Sequence, residues 1–164
     1  MRATASFMVL LFCLQACMGF VSATTPETIS VDGDVSEWSG DSDLGTDSND
    51  VSLHVTWDTT NFYVAWIGTD WSSTFEGADL FVYFNTSEGG SVLSKDWNFA
   101  HTLPFAADYG FALEDSNYNQ YFTYDGTSWA DQGSLSTNEI YVGWANNTVT
   151  EMAIPWSAIG APTS

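Results

Sequence analysis

Eight tryptophans are spread through the chain, and three stand where a flat ring could meet a ligand. Trp71 lies in Thr69-Asp70-Trp71-Ser72-Ser73, Trp97 in Lys95-Asp96-Trp97-Asn98-Phe99, and Trp129 just past the turn Asp125-Gly126-Thr127. A sugar ring has an apolar face of axial C–H groups and a rim of hydroxyls; aromatic rings take the face and polar side chains take the rim. Trp97, with Asp96 and Asn98 beside it and His101 close by, is the first candidate platform, and Trp71 and Trp129 are candidate further walls. The same rings could instead cover the ends of a sandwich. A second group is acidic: Asp41, Asp43, Asp47, Asn49 and Asp50 follow closely on one another. Hard cations want several oxygens at once, and calcium tolerates irregular geometry, so Asp41, Asp43, Asp47 and Asp50 are candidate calcium ligands. The spacing is not that of an EF-hand loop, since no Glu closes it, and a solvated acidic loop accounts for the same residues.

Other chemistry is sparse. The two histidines are His54 and His101; His54 falls on the outward face of its strand and is expected to be exposed. A glycosidase needs one carboxyl raised in pKa and one ionised across a cleft. Glu114 and Glu151 are the strand-borne candidates, and nothing pairs them. No Ser-His-Asp signature, phosphate loop or dinucleotide fingerprint occurs.

The charge balance excludes whole classes. Against 21 acidic residues stand Arg2 and Lys95, for a net charge of -19. Such a chain cannot replace phosphate counterions on nucleic acid and is repelled by an anionic membrane surface. Apolar residues make up 45% and aromatics 16%, enough buried surface to offset ordering entropy, so a folded domain is expected rather than disorder. Arg2, the apolar run Phe7 to Ala16 and the small residues Val21-Ser22-Ala23 read as a signal peptide at 1–23, too short to span a bilayer. Export would leave one domain at 24–164, secreted, periplasmic or at the cell surface. An alternative is a lipobox ending at Cys17, which would make the chain a lipoprotein. Cys13 and Cys17 are the only cysteines, so the domain itself holds no disulfide. Asn85-Thr86-Ser87 and Asn146-Asn147-Thr148 fit the N-glycosylation pattern.

The elements that must position these residues are short strands. Val51 to Trp57 alternates apolar and polar residues, Asp58 to Asn61 is turn chemistry, and Phe62 to Ile67 completes a hairpin. Leu80 to Phe84 is apolar on both faces, which predicts a central strand covered on both sides. Tyr109 to Leu113, Gln120 to Tyr124, Ile140 to Trp144 and Thr148 to Ile154 are further strands. Asp125-Gly126-Thr127 and Asn146-Asn147 are tight turns, and Trp156 to Ile159 forms one helical turn. The pattern predicts an all-β antiparallel sandwich, jelly-roll or immunoglobulin-like. Ile29 and Val31 are expected to start an edge strand, Gly33 to take a positive φ, and Trp38 to pack over the end of the sandwich. Trp38, Trp57 and Trp156 read as core.

Three segments carry a resemblance: Ile29 to Trp38 (ISVDGDVSEW), Thr56 to Trp66 (TWDTTNFYVAW) and Thr150 to Gly160 (TEMAIPWSAIG). In order and spacing the chain resembles the DOMON-like sandwich domains related to family 9 carbohydrate-binding modules, over almost all of residues 24–164. Asp79 to Gly90 resembles that family's strand leading to a Gly-Gly turn, and Tyr124 to Trp129 its late hairpin. The resemblance implies an exported, non-catalytic module that binds an oligo- or polysaccharide, ancillary to glycan degradation or uptake. The other readings are a calcium-dependent adhesion module with a protein partner and a small glycoside hydrolase. Asn85 replaces an acid common in the family. The family also continues with further strand where this chain stops at Ser164, which implies a missing C-terminal strand, an uncovered sheet edge and self-association. Some DOMON domains hold haem through Met and His. Met152 is the only methionine beyond the signal peptide, on a strand beside Ile154, so packing is expected there and haem is not.

Overall fold

The computed structural model describes residues 26–38, 42–46, 50–68, 80–95, 100–113, 118–145 and 149–160. These form β1 (Asp43–Thr46), β2 (Ser52–Trp57), β3 (Asn61–Ile67), β4 (Leu80–Phe84), β5 (Ser91–Leu93), β6 (Thr102–Ala107), β7 (Tyr109–Leu113), β8 (Asn119–Tyr124), β9 (Trp129–Asp131), β10 (Tyr141–Ala145) and β11 (Val149–Pro155). A five-stranded sheet runs β1-β2-β3-β11-β10, a four-stranded sheet runs β4-β7-β8-β9, and β5 and β6 form a separate hairpin. Every pairing is antiparallel, and the sheets do not close into a barrel. The fold is an all-β sandwich, as its strand pattern predicts. No helix among the described residues is long and apolar enough to cross a membrane.

Strict alternation sorts the side chains. Val55 of β2, Val64 and Trp66 of β3, and Met152 and Ile154 of β11 face inward, where they meet Phe111, Leu113 and Tyr121 of the four-stranded sheet. Met152 therefore packs, as expected. The opposite face of the five-stranded sheet is also buried over β3 and β11. Ile29 and Trp38 lie on it against Tyr63, Ala65, Val149 and Ala153. Three expectations are corrected here. Ile29 and Val31 join no sheet ladder, because their segment crosses the face of the sheet instead of running along its edge. Trp38 packs on that face, not over the sandwich end. His54 is buried at 8% exposure, because the same segment covers the side of β2 that alternation alone assigns to solvent.

One carboxyl group fastens this cover. Glu151 is fully buried. Its Oε1 accepts from the Trp38 indole at 2.7 Å, and its Oε2 accepts from the backbone N–H groups of Gly33 at 2.7 Å and Asp32 at 3.0 Å. Gly33 makes the turn with φ 86°, the positive value its position demands. Across the sheet, Glu151 and His54 both stand opposite Ala65. The indole reaches both neighbours, bonding Glu151 and meeting the His54 ring edge-on at 6.1 Å, so it spans the small Ala65 side chain. Beside it, the Ser42 hydroxyl bonds His54 Nδ1 at 3.0 Å.

The outer face of the four-stranded sheet is aromatic. Phe122 lies across Gly110, where any β-carbon would collide with its ring. Tyr83 and Trp129 pack against Phe122 at 5.8 and 5.4 Å. This explains why β4 is apolar on both faces although it is an edge strand, not the central strand its sequence predicts. Its outward residues Phe81 and Tyr83 stack on each other and belong to this second aromatic layer. The acidic stretch at 41–50 is likewise not a single loop, since β1 pairs with β2 inside it through an irregular register at Asp43/Gly45.

Glu151→Gln keeps one acceptor oxygen but turns the other into an NH2 group facing an N–H, so at least one of the three donors loses its partner. Glu151→Gln should therefore cost about 1–3 kcal/mol or more, and Trp38→Ala about 3–5 kcal/mol through the cavity. Trp38→Phe combined with Glu151→Gln should be less damaging than the sum of the two singles, by about 0.5–3 kcal/mol. Urea denaturation of the parent, Trp38→Phe, Glu151→Gln and their combination checks this, and strict additivity would contradict the coupling.

Candidate carbohydrate site

The β5–β6 hairpin is pinned at one point. Ser94, only 6% exposed, donates its backbone N–H to the His101 carbonyl at 2.9 Å, and its hydroxyl accepts from His101 N–H at 2.8 Å. Next to this pair, Leu93 stands opposite Thr102. The Leu93 carbonyl accepts from the Trp129 indole at 2.8 Å. The structure thus brings two of the candidate sugar contacts, Trp129 and His101, to one hairpin root. His101 is exposed and Trp129 half-buried. Asp96, Trp97 and Asn98 belong to the stretch that joins the two sides of this root, and they lie outside the described residues, as does Trp71.

Trp129 is held from its own hairpin as well. Asp125 Oδ1 accepts from the backbone N–H groups of Thr127 and Ser128, both at 2.8 Å, and its own N–H donates to the Ser128 carbonyl at 3.1 Å. Those bonds favour the ionised form and lower the Asp125 pKa. With the turn fixed, Trp129 falls opposite Tyr124 and packs on its ring at 5.4 Å. Its indole N–H is already used, so the ring braces the hairpin and its uncovered part is what a ligand could meet. Tyr83 lies beneath at 5.8 Å. Burial pushes its phenol pKa up, opposed by Ser94 and the Lys95 backbone. Ser94 and the Leu93 carbonyl are contributors that sequence reasoning missed. A serine between Leu93 and Lys95 carries no signal of its own, because its role depends on a partner seven positions away.

The candidate cation ligands are placed differently. Asp43 and Asp50 are both exposed. Asp43 Oδ1 accepts from Gly45 N–H at 2.8 Å, and Asp50 has φ 60°. Asp43 stands opposite His54, whereas Asp50 lies at the turn end of the β1–β2 pair, about 13 Å further along at some 3.3 Å per residue. Asp41 and Asp47 lie outside the described residues, and no group of three or more His, Asp or Glu side chains gathers among those described. Of the two candidate catalytic acids, Glu114 lies outside the described residues. Glu151 is sealed from solvent with both oxygens occupied by N–H donors, which leaves it nothing to offer a substrate.

Comparison with family models, with curated proteins and with solved structures finds no match for this chain.

Two groups make stability depend on pH. Burial lowers the His54 pKa against the opposing pull of Asp43. The unfolded chain then takes up that proton more readily, so stability is full above the ordinary value of 6.5 and falls as the pH drops below it. At Asp58 burial raises the pKa, but hydrogen bonds from Asn61, Thr60, Tyr63 and Thr28 outweigh it and the net shift is downward. Its contribution is present above the ordinary carboxyl value of 3.8 and is lost as the pH falls through the lower folded value. Melting temperatures of His54→Gln should therefore fall less between pH 7 and 5 than those of the parent. Asp58→Asn should remove part of the further loss below pH 4. Parallel curves for all three proteins would contradict both assignments.

Proposed function

We propose that residues 24–164 are an exported, non-catalytic carbohydrate-binding domain, ancillary to glycan degradation or uptake, whose site lies on the β5–β6 hairpin beside Trp129. The observation that carries this reading is the convergence of Trp129 and His101 on one pinned root, the root that also bounds the stretch bearing Asp96, Trp97 and Asn98. An aromatic face bordered by polar side chains suits a sugar ring. Placement on a hairpin braced from the sheet beneath limits the ordering cost of binding. The enclosed Glu151 speaks against the glycosidase alternative. Residues 24–164 carry 21 acids against Lys95 alone, a net charge of -20, so the expected ligands are neutral glycans, since sulfated or uronic polymers would be repelled. Export would proceed through the signal peptide at 1–23.

Affinity electrophoresis against a panel of soluble glycans tests the proposal, with retardation expected in neutral polymers and none in pectate or alginate. Trp97→Ala should weaken binding by about 1–3 kcal/mol, the loss of a central aromatic anchor, which is roughly 5- to 150-fold. Its melting temperature should stay near that of the parent, and no reducing sugar should be released by either protein. Normal binding by a Trp97→Ala protein that melts early would place Trp97 in the core. Mobility unchanged in every glycan would remove the carbohydrate reading.

A further inference from the structure

We propose that β10 is a docking edge for an extended, lysine- or arginine-bearing segment of a partner protein, which adds to the five-stranded sheet as a further antiparallel strand. Among the described residues β10 pairs with β11 alone. An edge strand has backbone N–H and C=O groups directed away from the sheet, and these are a template for another strand unless the sequence guards them. The other edges differ. β1 carries Asp43 and an irregular register, β5 and β9 are three residues long, β6 contains Pro104, and all five residues of β4 are half-buried. β10 reads Tyr141-Val142-Gly143-Trp144-Ala145, with neither charge nor proline, and Tyr141 is 64% exposed.

Charge selects the occupant. Gly143 stands directly opposite Glu151, and Glu151 holds the turn that contains Asp32 and Asp34. Both aspartates are exposed and sit above β11, one strand in from the edge. An added strand would run about 10 Å from β11, within reach of a lysine side chain directed to that face. Exposed Glu139, two residues before Tyr141, borders the strand at its start. A second copy of this chain fits poorly, because it would bring another -19 charges against the same edge. Asp32 and Asp34 each accept one backbone N–H, from Asp34 and Ser36, and a cationic strand would pair with the backbone edge and offset the negative charge these carboxylates keep. Docking at this edge is independent of the proposed glycan site on the β5–β6 hairpin and β9.

The probe is a capped peptide of about eight residues alternating valine and lysine, titrated into the full chain in about 0.15 M salt and followed by amide NMR shifts. Its control is a peptide of equal charge with every valine replaced by proline, which cannot sustain a ladder. Saturable shifts centred on Tyr141 to Ala145, with the proline peptide at least tenfold weaker, are expected. Tyr141→Lys, a change at an exposed position, should weaken the valine–lysine peptide at least tenfold, as should Asp34→Asn combined with Glu139→Gln. Equal binding of the proline peptide would reduce the effect to charge alone and overturn the proposal. So would shifts centred on β1, β4 or β9, or no saturation at millimolar peptide. A dimer seen by sedimentation without peptide, with β10 amides protected, would make a second copy the occupant and overturn it as well. If a variant fails to fold, the comparison of the two peptides on the parent chain still decides.

Discussion

The buried carboxyl group of Glu151 is the constraint on which the five-stranded sheet depends. Burying a carboxyl group is costly unless hydrogen bonds replace its water, and here three N–H donors do so from the turn at Asp32-Gly33 and from Trp38. The consequence is long-range. A segment near the start of the domain is tied to its last strand, more than a hundred positions later, with β3 held between them. Because Ala65 is small, the Trp38 indole can lie flat enough to touch Glu151 on one side and His54 on the other. β3 and β11 are thereby covered on both faces, and β1 gains a buried anchor in Ser42 and His54.

The four-stranded sheet solves the same problem with aromatic area. Its outer face is filled by Phe81, Tyr83, Phe122 and Trp129, and Gly110 makes room for the Phe122 ring. The β5–β6 hairpin is tied to this sheet through the Trp129 indole, which donates to the Leu93 carbonyl.

Much of the fold was legible because β2, β3, β7, β8 and β11 alternate or are β-branched, and the structure places them within a residue or two of the sequence reading. The failures have physical causes. Alternation says which residues share a face but not whether a face is wet, so His54 was assigned to solvent when a non-strand segment covers it. Apolarity on both faces marked β4 as central, yet an edge strand between two aromatic layers has the same composition. β6 contains Pro104 and β5 is three residues long, so neither rises above loop composition. At the candidate site, Trp71, Trp97 and Trp129 stand out in the sequence by residue type and polar neighbours alone. The pin at Ser94 and the Leu93 carbonyl were invisible, because backbone acceptors and tertiary partners leave no trace in composition.

Eight tryptophans give eight indole N–H signals, and following them by NMR during titration with a neutral glycan tests the central claim most directly. The Trp97 and Trp129 signals should shift with saturation, while that of Trp38, locked on Glu151, stays in place and exchanges slowly with deuterium. Shifts confined to Trp38 or Trp156, or rapid exchange at Trp38, would contradict the division between a sealed scaffold and an exposed binding hairpin.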